Sequence, residues 1–322
     1  MNIRLYLGIC FLFVANVISA QSDVKVEPVV VLFTDVHQGL TEGNQDFGMR
    51  IRRAYLGAEI EKDSWSAKVV FDSRPWGGLE TPYGALGCLK NAYVGWANDR
   101  TSVRAGIVGR NLFKYQEKFW GYRYLFKSLQ DEYSYSSSAD FGIAFAHTFS
   151  DKFAMDLQFT KGTGYKKAVP KLPVRMTLGA SYEPSGNLKF RANYDFFKKD
   201  NGVENGVHQH IASFFVGYVY QRLWIAAEYN RLWNKSFRTD RHQVDYSFYA
   251  RFMTSRKCQL FARHDILTSK ADWRTEDDGQ MTIVGFHYQP HKFVSISPNV
   301  RVHTLKGNDT NCTLFLNFGF KL

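Results

Sequence analysis

Residues 188–196 read LKFRANYDF, and this stretch decides the class of secondary structure. Apolar and polar side chains alternate at every position, with Phe190 and Tyr194 on one face and Arg191 and Asp195 on the other. A period of two belongs to a β-strand, in which successive side chains point to opposite faces. The stretch therefore predicts a strand with one oily face and one ionic face.

The same division recurs along the chain, for example in residues 65–74, 174–183 and 243–254. About sixteen such segments are found, most of them close to the 9–11 residues of a tilted membrane strand. They cover 26–36, 47–60, 65–74, 88–97, 102–110, 139–149, 153–161, 174–183, 188–198, 209–220, 223–233, 243–254, 258–268, 280–288, 293–305 and 312–322.

The connections between these segments alternate in length. Short polar turns lie at 61–64, 98–101, 150–152, 184–187, 221–222, 255–257 and 289–292. Longer segments lie between them, at 37–46, 75–87, 111–138, 162–173, 199–208, 234–242 and 269–279. Such regular alternation is typical of an up-and-down barrel, and an even strand count places both termini on the side of the short turns.

Composition favours an all-β, transmembrane antiparallel barrel over the other classes. With 45% hydrophobic and 22% charged residues among 322, the chain is neither disordered nor a bundle of membrane helices. A soluble sandwich would also alternate. Three features favour the membrane: an export signal, more strands than one ordinary sandwich holds, and aromatic residues near strand ends, among them Trp65, Trp96, Tyr182 and Trp224.

The two ends of the chain agree with an exported barrel. Residues 1–20 carry Arg4, an apolar run and the exit Ile18-Ser19-Ala20, which predicts a signal peptide followed by a barrel domain over 21–322. A signal anchor and a buried first helix are the alternatives. The last segment, 312–322, has one apolar face and resembles the C-terminal assembly signal of bacterial outer-membrane proteins. Three cysteines follow the signal, an odd number that leaves at most one disulfide.

Several segments resemble one family. Residues 47–59 (FGMRIRRAYLGAE), 65–72 (WSAKVVFD), 89–96 (LKNAYVGW) and 103–106 (VRAG) look like the early strands of the phosphate-selective porin O and P family. The resemblance is clearest over about 47–145. It implies a 16-stranded outer-membrane channel, usually a homotrimer in lipid, that passes small anions such as phosphate. The chain is shorter than the best-known members and lacks an obvious dense arginine ladder.

If the oily faces meet lipid, the strand charges face the lumen, because a charge on the lipid face costs about 2–4 kcal/mol at the bilayer midplane. With the cations of the long 111–138 segment, the predicted pore-lining and anion-binding residues are Arg53, Lys68, Arg74, Arg104, Arg110, Lys114, Lys118, Arg123, Lys127, Arg175, Arg191, Arg251, Arg263 and Arg301. The carboxylates on the same faces are Asp72, Asp140, Asp156, Glu183, Asp195, Glu228, Asp245 and Asp265. The set leans positive, which favours anions, although about half of these cations are expected to brace the wall through ion pairs.

Strand 47–60 does not alternate cleanly. Met49 and Ile51 share parity with Arg53, whereas Arg50 and Arg52 share parity with the apolar residues that follow. A bulge or a change of face near Arg52 would resolve the conflict.

The segment 111–138 is the longest connection and is rich in aromatic residues. A surface loop this apolar would be a liability, so we expect it to fold into the barrel and narrow the pore. An external cap or an oligomer contact is the alternative.

Other motifs carry little chemistry. His208 and His210 have the spacing of one strand face but no third metal ligand, and His264 and Asp265 point to opposite faces, so no metal site and no enzyme are predicted. No cofactor is predicted, and the scattered cations disfavour nucleic acid. Three functions stay open: an anion-leaning porin, a binding or structural barrel with a filled lumen, and an outer-membrane hydrolase.

Overall fold

The computed structural model describes residues 23–73, 87–166, 174–199, 202–270, 273–274, 278–307 and 310–322. The predicted signal peptide and Arg74 lie outside the described residues. Within them, no helix has the length and apolar character needed to cross a membrane.

Sixteen antiparallel strands form one closed barrel in which each strand pairs with its neighbours in sequence. They are β1 Lys25–Gly39, β2 Phe47–Lys62, β3 Trp65–Ser73, β4 Cys88–Ala97, β5 Thr101–Gly109, β6 Ala139–Ser150, β7 Phe153–Thr160, β8 Arg175–Tyr182, β9 Leu188–Phe197, β10 Gln209–Tyr220, β11 Leu223–Trp233, β12 His242–Met253, β13 Cys258–Lys270, β14 Gly279–His291, β15 Val294–Leu305 and β16 Thr310–Lys321. The prediction of an all-β, 16-stranded antiparallel barrel is confirmed.

The last strand closes the barrel. β16 pairs with β1 from Val31 opposite Lys321 to Gly39 opposite Thr313. This pairing satisfies backbone groups that would otherwise form two open sheet edges. Both ends of the described chain lie on the side of the short turns, called here the turn side; the opposite end is the loop side.

The outer face of the barrel is apolar. Leu56 is 65% exposed, Phe141 58% and Phe214 57%, and all three alternate with inward neighbours. An aqueous surface with so many exposed apolar side chains would aggregate, whereas bilayer hydrocarbon accommodates it. Trp65 and Tyr182 belong to this face, but Trp224 packs inside the barrel, so its assignment to an outer aromatic girdle is wrong.

Two β-bulges alter which residues face inward. In β2, Arg53 pairs with Phe33 and Ile51 pairs with Thr34, which leaves Arg52 as the extra residue. In β4, Lys90 is the extra residue between two pairs with β3. The bulge predicted near Arg52 is therefore confirmed, while that at Lys90 was not predicted. Each bulge lets two consecutive side chains enter the lumen.

Segment 110–138 connects β5 to β6 and carries two short helices, α1 (Lys114–Trp120) and α2 (Leu129–Glu132). Helix α1 ends at Gly121, whose φ of 78° is the left-handed conformation that glycine adopts without strain. The three cysteines after the predicted signal, Cys88, Cys258 and Cys312, are free thiols.

Candidate functional site

Segment 110–138 folds back into the barrel and is called here the constriction segment. Its side chains Trp120, Tyr122 and Leu125 are almost fully buried against inward-facing wall residues such as Tyr249 and Phe261. The rings of Trp120 and Tyr249 are 5.3 Å apart, which is the range of favourable edge-to-face packing. The prediction that this segment enters the barrel is confirmed.

The base of the constriction segment packs on the wall through a second apolar cluster. Leu112 and Leu129 are fully buried there against Ile211 of β10 and Leu232 of β11. The segment therefore covers the inner surface of β10–β14 and leaves the opposite wall, β1–β4, facing open space. These two surfaces border the lumen cavities.

Polar contacts fix the tip of the constriction segment. The Tyr124 hydroxyl lies 2.8 Å from Nδ1 of His287, and Arg301 Nη2 donates to the Leu125 carbonyl oxygen at 2.9 Å. Arg52, from the opposite wall, donates to the same carbonyl. Anchors on β2, β14 and β15 thus hold the tip across the lumen.

A cavity of about 210 Å³ lies on the loop side of this tip. It is called here the loop-side cavity, and its lining residues are Phe33, Arg50, Ile51, Arg52, Arg53, Arg123, Tyr124 and Lys127. Five of the eight are cations, and none of these lining residues is Asp or Glu. The bulge at Arg52 produces this density, because it turns Arg52 and Arg53 to the same side.

A larger cavity of about 530 Å³, called here the turn-side cavity, opens towards the short turns. Its cationic lining residues are Lys68, Lys90, Arg123, Arg251, Lys292 and Lys321, and again none of its described lining residues is Asp or Glu. Phe33, Arg123 and Tyr124 line both cavities, so the two adjoin at the tip of the constriction segment.

Carboxylates do lie behind some of these cations. Asp35 accepts a hydrogen bond from Arg50 at 3.0 Å, and Glu59 accepts one from Lys68 at 2.6 Å. Arg123 pairs with Glu117 and, at 2.8 Å, with Asp131 of its own segment. Burial alone would lower the pKa of Arg123, but the Asp131 carboxylate more than offsets this and raises it.

Lys114 is the most responsive cation of the constriction segment. Its side chain is exposed to the lumen while the barrel wall surrounds it. Burial inside the barrel, together with the nearby cations Arg104 and Lys68, lowers its pKa to about 8. No carboxylate within the described residues forms an ion pair with it.

Solved structures with this architecture are known, although no family model matches the chain and no curated protein matches it. Salmonella typhi OmpF in complex with daunomycin superposes with a TM-score of 0.72 at 11% identity, covering 93% of this chain and 98% of that one. An anion-selective porin from Comamonas acidovorans gives 0.67 at 11%, covering 93% and 100%. OmpT, an outer membrane protein of Vibrio cholerae, gives 0.62 at 12%, covering 93% and 98%.

The chain has the porin fold. At such low identity the likeness concerns the architecture, and the function of the lumen has to be argued from its own residues.

Four predicted pore-lining arginines are enclosed in the wall instead. Arg110 and Arg175 share Asp195, at 2.6 and 2.7 Å. Arg191 pairs with Asp156 at 2.6 Å, and Arg263 pairs with Asp265 at 2.7 Å. The four arginines are at most 5% exposed. Enclosure by protein assigns these four arginines to bracing, which corrects their placement on the pore surface.

The other predicted cations divide by their partners. Arg53 pairs with Asp72 at 2.9 Å but still lines the loop-side cavity, and Lys127 lies 3.2 Å from Glu132. Arg301 is buried and holds the constriction segment. Arg104, Lys118 and Arg251 form no ion pair with a carboxylate of the described residues, and Arg251 lines the turn-side cavity. Arg74 lies outside the described residues.

Sequence reasoning missed Lys90 and left Arg50 and Arg52 unassigned. Strict alternation would place Lys90 with Ala92 and Val94 on the lipid face, whereas the bulge turns it inward to donate to the Tyr55 hydroxyl. A charge on an otherwise apolar strand face is the signal that could have revealed the bulge, since that charge is costly in lipid.

The weaker motifs find other partners. His210 lies 2.7 Å from the Tyr194 hydroxyl, and His208 accepts the Lys199 amide. His264 contacts Thr282, whereas Asp265 faces the lumen wall and binds Arg263. The adjacent His264 and Asp265 thus point to opposite faces.

Proposed function

We propose that the protein is an outer-membrane channel for passive diffusion of small hydrophilic solutes, with a preference for anions. The observation that carries the proposal is the pair of adjoining lumen cavities, with five and six cationic side chains among their described lining residues and no lining carboxylate. Cationic constrictions favour anions because they lower the energy of a permeating negative charge. Arg123 stands where the two cavities meet.

The proposal concerns position more than total charge. Wall-bracing pairs such as Arg110 with Asp195 neutralise each other away from the lumen, while Lys90 and Arg251 remain at the cavity surface. The similarity to a porin described as anion-selective supports the same direction. Phosphate, which the family resemblance implies, is one anion that such a lining would accept.

We further propose that residues 1–20 direct export and that the barrel from residue 21 onwards resides in the outer membrane, as a trimer. Unboiled protein should migrate differently from boiled protein in detergent electrophoresis, since a closed barrel resists detergent until heated. A soluble periplasmic protein without this shift would contradict the location.

Reversal potentials in a planar bilayer under a potassium chloride gradient test the channel and its preference together. The expected sign is that of chloride as the more permeant ion. A cation-preferring reversal potential would contradict the anion preference. Reduction of the chloride current by added phosphate tests the phosphate component.

A filled, non-conducting barrel is the second candidate, and one observation favours it. The constriction segment buries two apolar clusters against the inner wall and occupies much of the lumen. Folded protein that inserts into bilayers without conductance would support this candidate. A hydrolase would be detected by a lipid- or peptide-hydrolysis assay, in which we expect no turnover.

A further inference from the structure

The turn-side cavity has an apolar side that a channel for inorganic ions does not need. Val29, Val31 and Phe33 line it from consecutive inward positions of β1, and Val70 lines it from β3. The inner face of a water-filled barrel is ordinarily polar, so an aliphatic and aromatic stripe there is unusual. Phe293 continues the apolar lining towards the turn side.

Cations border this apolar stripe directly. Lys90 Nζ lies 3.7 Å from the ring centroid of Tyr55, and Tyr55 is paired with Val31 across β1 and β2. Asn91, the residue after Lys90, is paired with Val70. An ammonium group therefore lies beside the valine and phenylalanine side chains.

Arg251 supplies a second cation from the opposite wall. Its guanidinium carbon lies 5.1 Å from the Trp224 ring centroid and 5.6 Å from that of Tyr122. Within the described residues it forms no ion pair with a carboxylate, and its buried Nε has no hydrogen-bond partner. Aromatic faces hold such a cation in place without neutralising it.

We propose that the turn-side cavity is a binding subsite for monovalent aromatic carboxylates, resting on the proposed anion-channel function. The carboxylate contacts Lys90 or Arg251, and the ring lies on Val31, Phe33 and Val70. A volume of about 530 Å³ falls in the range of small-molecule sites. An inorganic anion can use the cations of this cavity but gains nothing from its apolar side.

Benzoate and acetate are the matched probes, because both are monovalent carboxylates and only benzoate has a ring. In planar bilayers, the concentration of each that halves the chloride current is measured from the turn side. We expect benzoate to act at about fivefold lower concentration than acetate, as one aromatic contact contributes.

Two variants separate the halves of the subsite. In Phe33→Leu with Phe293→Leu, the benzoate advantage over acetate should shrink to about twofold or less, because the aromatic faces are lost. Lys90→Gln should weaken both carboxylates together. The matched controls are Phe149→Leu with Phe159→Leu, on the exposed outer face, and Lys152→Gln, at an exposed turn. Both controls should behave as the wild type.

The outcomes distinguish the subsite from the channel. An anion-preferring channel in which benzoate and acetate act alike overturns the subsite and leaves the proposed function intact. If the barrel does not conduct, fluorine NMR of para-fluorobenzoate with the detergent-solubilised protein decides. Line broadening that Lys90→Gln abolishes supports the subsite while the channel fails, and no broadening by the wild type overturns the subsite.

Discussion

Arg52 and Arg53 are consecutive in the chain, and both side chains enter the lumen. Arg53 Nη1 donates to Asp72 at 2.9 Å, while Arg52 lies 3.6 Å from Asp35 and donates to the Leu125 carbonyl. Regular alternation would send one of them into lipid, at a cost of about 2–4 kcal/mol near the midplane. The bulge avoids that cost and converts β2 into an anchor for the constriction segment.

This anchor gives the first prediction, for Arg52→Gln combined with Arg301→Gln. Both arginines donate to the Leu125 carbonyl, and a hydrogen bond from a charged group contributes about 1.5–3 kcal/mol. Without them the tip of the constriction segment should loosen, and single-channel recordings should show larger current fluctuations. Arg238→Gln with Arg256→Gln, at two exposed positions, is the control. Equal current noise in both double variants would argue against the anchoring role.

The second prediction concerns Trp120→Ala. Trp120 is 1% exposed, and its Nε1 donates to the Phe126 carbonyl at 2.9 Å. Truncating a buried tryptophan typically costs 3–5 kcal/mol, which here falls on the packing of the constriction segment against β12 and β13. We expect higher mean conductance with the heat-dependent gel shift retained. Trp65→Ala, on the outer face, should leave conductance unchanged, and so should Trp120→Ala if the segment does not narrow the pore.

The sequence predicted the architecture well because the barrel repeats one signal sixteen times. Strand β10 has the predicted bounds, and the entry of 111–138 into the lumen followed from its aromatic content alone. The partners of the charges were less predictable. Asp195 receives both Arg110 and Arg175, from positions far apart in the chain, and period-two reasoning contains no information on such pairing across the lumen.

Bulges are the second limit of period-two reasoning. At Arg52 the alternation itself was broken, so the sequence showed the irregularity. At Lys90 the surrounding residues alternate acceptably, and only the register with β3 reveals the extra residue. Residues that face the lumen through bulges are therefore the ones that sequence patterns miss.

The third prediction contrasts Arg110→Glu with Lys114→Glu. Arg110 is fully buried and paired with Asp195, so a glutamate there places two carboxylates together without a solvent. Breaking a buried pair costs about 3–5 kcal/mol, and we expect loss of the heat-dependent gel shift. Lys114 is exposed to the lumen, so Lys114→Glu should fold and shift the reversal potential towards cations. Lys152→Glu, at a turn, carries the same charge change and should shift it little. If Arg110→Glu folds and Lys114→Glu leaves the potential unchanged, the assignment of bracing and pore-lining cations is wrong.

The fourth prediction is a pH dependence of selectivity that comes from Lys114. Because burial and the neighbouring cations lower its pKa to about 8, Lys114 loses its proton at a lower pH than an ordinary lysine. Raising the pH from about 7 to about 9 therefore removes one positive charge from the lumen, and the preference for chloride over potassium should fall. Lys114→Arg should keep its preference across this range, since guanidinium stays charged.

A second lysine titrates nearby and provides the control for this measurement. Burial and the cations Arg274 and Arg175 lower the pKa of Lys235, in the connection between β11 and β12, to about 7. Its titration would move the change to lower pH, and Lys235→Arg should leave the decline above neutral pH intact. A decline that persists in Lys114→Arg and disappears in Lys235→Arg would transfer the effect to the loop-side connection. Reversal potentials measured at closely spaced pH values in the three proteins decide between the two lysines.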